Sequence, residues 1–198
     1  MALLKLLFTF APWISFLIIA QDSLLRVKIG LVVALVLTVA MSLAGLQKGM
    51  IRWASVLFFV YATIAIVIFD HAWTLQYLGV LANGALAIPA WLTIIFKQPF
   101  TLAYAKEQSD PSVWNQPSFI RSNYLITSIW AVTFTLCTVM SYFKMRDLFL
   151  PAMDYVIVSY SIMLLACVFS TWYPARAKKK AAAMATAQKA SAGNVKTG

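Results

Sequence analysis

The chain has 198 residues, 62% hydrophobic and 11% charged, against roughly 45–50% and 25% in soluble domains. So little charge cannot cover a water-soluble globule, and the apolar blocks lack the alternation that a membrane β-barrel needs. A formal charge of +10 does not point to nucleic acid here, because no soluble region is large enough to present a basic face; Lys and Arg in a membrane chain report which links stay in the cytoplasm.

Blocks that are apolar on all faces for about 20 residues predict an all-α polytopic membrane protein. Six transmembrane helices are expected in a single domain over 1–173, at about 6–20, 29–46, 53–69, 75–96, 124–143 and 153–173. The first block follows Lys5 and carries Pro12. It has the length of a signal peptide, but cleavage after Ala20 would put Ile18 where a small residue is wanted, so it reads as a retained span. On the second, Gly30, Ala34, Thr38 and Ser42 recur every four residues and line one helical face, a packing seam for a neighbour. Asp70 and His71 fall in the short link after the third span, as solvated turn residues or a proton-responsive pair. The fourth contains Asn83, which needs a hydrogen-bond partner in lipid, and Pro89, where a kink is expected.

Residues 97–123 (KQPFTLAYAKEQSDPSVWNQPSFIRSN) form the one long polar interruption. Phe100, Ala103 and Tyr104 lie at helical spacing beside Lys106 and Glu107, which predicts a short helix in the headgroup plane. Pro111 and Pro117 end or prevent helix, and Trp114 suits an interface. The fifth and sixth spans follow. Asp154, just after Pro151, is either an intramembrane ionisable group or an interfacial carboxylate at a helix N-terminus. Cys137 and Cys167 read as buried thiols, and their spacing leaves pairing open. From residue 174 the chain is a basic tail, expected to be disordered after a few turns, in which Arg176, Lys178, Lys179 and Lys180 would bind anionic lipid.

Six spans put both termini on one side. With that side inside, the internal segments carry Lys5, Lys48, Arg52, Lys97, Lys106, Arg121, Arg176, Lys178, Lys179, Lys180, Lys189 and Lys196, and the external links only Arg26, Lys28, Lys144 and Arg146. Twelve against four predicts N-in, C-in and a cytoplasmic 97–123 loop.

No Gly-rich phosphate loop, His-Glu-x-x-His, Ser elbow or carboxylate pair occurs within a span. The expectation is a protein without catalysis, metal or cofactor. Its partners would be membrane lipids, other membrane proteins or a second copy, and not nucleic acid. A small transporter or channel is the alternative, carried by six spans, the kinked fourth helix and Asn83; the lack of a mid-depth charge weighs against it.

The run Asn83-Gly84-Ala85-Leu86, Trp91 and Lys97-Gln98-Pro99-Phe100 resembles the intracellular septation protein A family, the YciB-like inner-membrane-spanning proteins of bacteria. Pro111-Ser112-Val113-Trp114, Asn123, Trp130-Ala131 and Phe134 continue the likeness over about residues 83–143. The chain differs in the added Asn115 to Ser122 and in its long basic tail. The resemblance implies a multi-pass protein of the bacterial inner membrane, linked to septation, cell division and envelope maintenance and acting through protein contacts. It marks Lys97, Pro99, Phe100, Trp114, Asn123 and Trp130 as candidate contact residues, to which the helical spacing adds Tyr104.

Overall fold

The computed structural model describes residues 8–20, 23–47 and 49–195, with side chains through Arg176. All regular structure among the described residues is helical: α1 (Ala11–Ile19), α2 (Leu24–Leu43), α3 (Gly49–Thr63) continued by a π-helical turn (Ile64–Ile68), α4 (Ala72–Gln76), α5 (Leu78–Ile95), α6 (Phe100–Lys106), a 3₁₀ turn (Pro111–Val113), α7 (Pro117–Met145) and α8 (Ala152–Val195). Five of these are long and apolar enough to cross a membrane: Leu24–Leu43, Gly49–Ile68, Leu78–Ile95, Pro117–Met145 and Ala152–Arg176. The molecule is a helical multi-pass membrane protein.

The first expected span differs from the rest. Helix α1 has nine residues, about 14 Å at 1.5 Å per residue, and reaches only part of the way across a bilayer. Residues 6 and 7 of that expected span lie outside the described residues. What α1 does is fill the core. Trp13 stacks on Phe58 with ring centroids 5.0 Å apart and packs against Phe59 at 4.8 Å. Phe10 stacks on Trp130 of α7 at 5.9 Å. Such aromatic pairs contribute about 0.5–1.5 kcal/mol each beyond the area they bury.

Short links make successive helices antiparallel, and cross-helix pairs fix the register. Asn83 meets Ser141 and Trp91 meets Thr135 between α5 and α7; Trp130 meets Ser170 between α7 and α8. The small-residue face of α2 is the predicted seam, with Gly30, Ala34, Thr38 and Ser42 all buried. A Cβ on Gly30 would come within 3.2 Å of the Ala20 backbone nitrogen, so this glycine lets the end of α1 approach.

The bundle is lopsided. Between 28% and 44% of residues in the other four candidate spans are buried, but only 11% in α8, which packs chiefly on α7. Where the composition predicts a disordered tail from residue 174, α8 continues through Val195 with Pro174 inside it. Ala and Lys are strong helix formers, and Pro174 removes one backbone donor, the one facing the carbonyl of Ser170. The side chains of Lys178, Lys179 and Lys180, and the charges of Lys5, Lys48 and Lys196, lie outside the described residues. Pro89 likewise sits inside an uninterrupted α5, and Cys137 and Cys167 are both free thiols.

Candidate functional site

The long polar stretch is shorter as a loop than its composition predicts, because residues 117–123 belong to α7. Pro117 starts that helix at its first turn, where a missing N–H costs nothing. What remains, 97–116, is folded back onto the bundle.

The return begins at Lys97. Its φ of +59° puts a non-glycine residue in the left-handed region and turns the chain out of α5. Gln98 N–H then donates to the Thr93 carbonyl at 2.8 Å and Lys97 N–H to that of Ile94 at 3.0 Å, closing the helix end as a Schellman motif. Pro99 follows, fully buried, and α6 starts at Phe100. The predicted short helix is therefore present, and its inward face is Phe100, Thr101 and Tyr104, all buried. Thr101, which no sequence pattern marks as a contact residue, holds the helix down. Its hydroxyl donates to the Asn123 carbonyl at 3.0 Å and lies 2.9 Å from the Thr127 hydroxyl. Asn123 is buried, and its side-chain amide donates to the Phe119 carbonyl at 2.9 Å. It is a bracing residue inside α7, not a surface contact.

Trp114 closes the loop. Its indole N–H donates to the Ser109 carbonyl at 3.2 Å, and the Lys106 ammonium sits over its ring, 5.4 Å from the centroid. Beside it the Asp110 carboxylate accepts from Ser112 N–H at 2.8 Å. Hydrogen bonds from Ser112, side chain first and backbone second, hold that carboxyl below its ordinary range.

Two more cation–tryptophan pairs stand at the same end of the antiparallel bundle. Arg52 lies over Trp53 at the start of α3, 5.7 Å from the ring centroid, and Arg176 over Trp172 late in α8 at 4.9 Å. Trp53 and Trp172 are half exposed or more. Together the three pairs form a rim of indoles and cations, the side chains suited to the membrane–water interface.

The remaining candidates serve packing. Trp130 is buried and donates to the Ser170 hydroxyl at 2.9 Å, and the Ser170 hydroxyl in turn donates to the Ala166 carbonyl. Asn83 donates to the Gly79 carbonyl at 2.9 Å and the Ser141 hydroxyl at 3.1 Å, the partners a polar group in lipid needs. Asp154 lies in the first turn of α8, where the helix dipole favours a carboxylate. Beside Pro89, an apolar cleft of about 10 Å³ opens between Ile51, Ala54, Ala90, Phe100 and Phe134. It has room for about one water and nothing polar to hold it. No group of three or more His, Cys, Asp or Glu side chains able to hold a metal occurs among the described residues.

Comparison of the chain with protein-family models, with curated proteins and with solved structures gives no match.

Proposed function

We propose that this is a non-enzymatic protein of the bacterial inner membrane, with both termini in the cytoplasm and six spans, the first made by the short α1 together with its flanking residues, that works through protein or lipid contacts at its 97–116 face. The reading extends the resemblance to the septation protein A family and places the protein in envelope maintenance and division. The carrying observation is that α6 is pinned by Thr101 to Asn123 and Thr127 while Lys106 and Trp114 turn toward the rim. A polar loop fixed in this way offers a pre-ordered contact surface, and it pairs no base with a nucleophile. The bias of Lys and Arg toward this end supports a cytoplasmic orientation, and the cations over Trp53, Trp114 and Trp172 suit a headgroup layer.

The test is a photoreactive amino acid at position 114 in native membranes, followed by mass spectrometry of the adducts. Discrete protein adducts, lost when α6 is released by Thr101→Val, are expected. Adducts with lipid alone would narrow the reading to lipid contact, and no adduct of either kind would remove it.

A further inference from the structure

At the opposite end of the bundle, three side chains form a chain of hydrogen bonds across the α3–α4 link. The Thr74 hydroxyl lies 2.7 Å from Nδ1 of His71 and 3.0 Å from the Tyr61 hydroxyl. Thr74 is fully buried, whereas Tyr61 is 46% exposed. The backbone here is unusual as well. The π-helical turn Ile64–Ile68 ends α3, and Asp70 adopts a φ of +47°. Together they deliver His71 N–H to the Ala65 carbonyl at 2.8 Å and set the imidazole over the first turn of α4.

A hydroxyl carries one proton, so a three-membered chain of this kind has a direction. When neutral His71 carries its proton on Nε2, Nδ1 accepts from Thr74, and Thr74 accepts from Tyr61. When the imidazole is doubly protonated, Nδ1–H must donate to Thr74. Thr74, buried, must then send its proton to the Tyr61 oxygen, and the Tyr61 O–H is released to donate toward its exposed side. We propose that His71, Thr74 and Tyr61 form a proton-responsive hydrogen-bond chain that reverses direction on acidification and releases the Tyr61 phenol from its donation to Thr74. Imidazole is the side chain that ordinarily changes charge between pH 5 and 8, and His71 is the chain's single histidine. Its charged and titratable neighbours are Asp70, next in the chain and ion-paired to Lys28 of α2, with Tyr61 on α3 and Tyr77 at the start of α5. The inference is independent of the contact face proposed above.

The experiment is ¹⁵N NMR of the His71 ring in the full chain in lipid nanodiscs, titrated from pH 8 to pH 5. At pH 8 Nδ1 should give the signal of an unprotonated ring nitrogen; a proton on Nδ1 there would overturn the proposal without any variant. In Tyr61→Phe each state keeps its His71–Thr74 bond and loses its bond to Tyr61. The neutral state leaves only a Thr74 lone pair unmet, whereas the charged state strands the buried Thr74 O–H, the costlier loss. The His71 midpoint should therefore fall. An unchanged or raised midpoint would overturn the reversal, since loss of packing at a half-exposed ring has no reason to favour the neutral imidazole.

Discussion

Thr101 and Thr127 share one hydrogen bond with a defined direction. The Thr101 proton is committed to the Asn123 carbonyl, so across the 2.9 Å between the hydroxyls Thr127 is the donor. Both side chains are buried, Thr127 completely. Thr101→Val strands the Thr127 O–H and takes the Thr101 donor away from the Asn123 carbonyl, which costs about 1–2 kcal/mol. Replacing both threonines by valine removes the donor together with its acceptor and recovers part of that loss. Chemical unfolding in detergent of the two single variants and the double variant measures this as a coupling energy; strictly additive losses would contradict the shared bond.

Trp130 makes the shorter of two polar ties between α7 and α8 among the described residues, the other being the Cys137 thiol, 3.9 Å from the Ser159 carbonyl. With only 11% of its spanning window buried, α8 is the helix most sensitive to a single lost contact. Trp130→Phe keeps most of the apolar ring stacked on Phe10 but deletes the N–H that reaches Ser170 at 2.9 Å. Interhelical hydrogen bonds in membranes contribute about 0.6 kcal/mol on average and about 1.7 at most. The expected outcome is a small global loss, with faster amide exchange concentrated in α8 around Ala166 and Ser170. Uniform acceleration over α2, α3 and α5 would assign Trp130 to the core alone.

Much of this arrangement is visible in the residues, and the parts that are not share a cause. The uncharged blocks mark five long helices, the four-residue repeat from Gly30 to Ser42 marks a buried seam, and Phe100 with Tyr104 marks the inward face of α6. Each is a local pattern set by helical geometry. Register is different, because it depends on residues far apart in the chain. Trp13 with Ser55, Trp91 with Thr135 and Trp130 with Ser170 repeat one device, an indole N–H given to a hydroxyl on another helix. Nothing near Trp130 identifies a serine forty positions on as its acceptor. The π turn at Ile64–Ile68 is hidden for another reason, since an apolar β-branched run reads the same whether its bonds span four residues or five. Pro117 did carry a usable signal as a first-turn proline, but the polar residues around it favoured a loop. The short α1 has the composition of a span and the described length of a core plug.

Four of the helix ends close on a left-handed residue, at Gly45, Asp70, Lys97 and Asp147, and only one of these is glycine. At Lys97 the side chain pays a steric penalty of about 1–2 kcal/mol relative to glycine, partly offset because glycine also frees the unfolded chain. Lys97→Gly should raise the unfolding midpoint by roughly 2–4 °C. Lys97→Val, branched at Cβ, should lower it and loosen α6, because the turn that delivers Pro99 and Phe100 begins there. Scanning calorimetry or a thermal shift in detergent decides. Equal midpoints for the two variants would mean that the φ of +59° carries no strain.

The turn at Asp110 should respond to acid. Its carboxylate accepts from Ser112 N–H at 2.8 Å, and the bonds from Ser112 hold its pKa below the ordinary carboxylate value. A depressed pKa means that the folded turn favours the charged form, so this support is fully present above the ordinary value and is lost as pH falls through the lowered one. The window therefore lies below about pH 4. Trp114 reports it, because its N–H bond to Ser109 and its stacking with Lys106 belong to the same turn. Fluorotryptophan NMR, with the Trp114 signal assigned by Trp114→Phe, should show a resonance that moves in that acid window while the buried Trp13 and Trp130 stay still. Ser112→Ala removes the side-chain bond and should move the midpoint upward, and Asp110→Asn should abolish the transition. A Trp114 signal that titrates unchanged in the Asn variant would assign the response to Glu107 or to the lipid headgroups, and the Asp110 turn would then have no part in holding the loop.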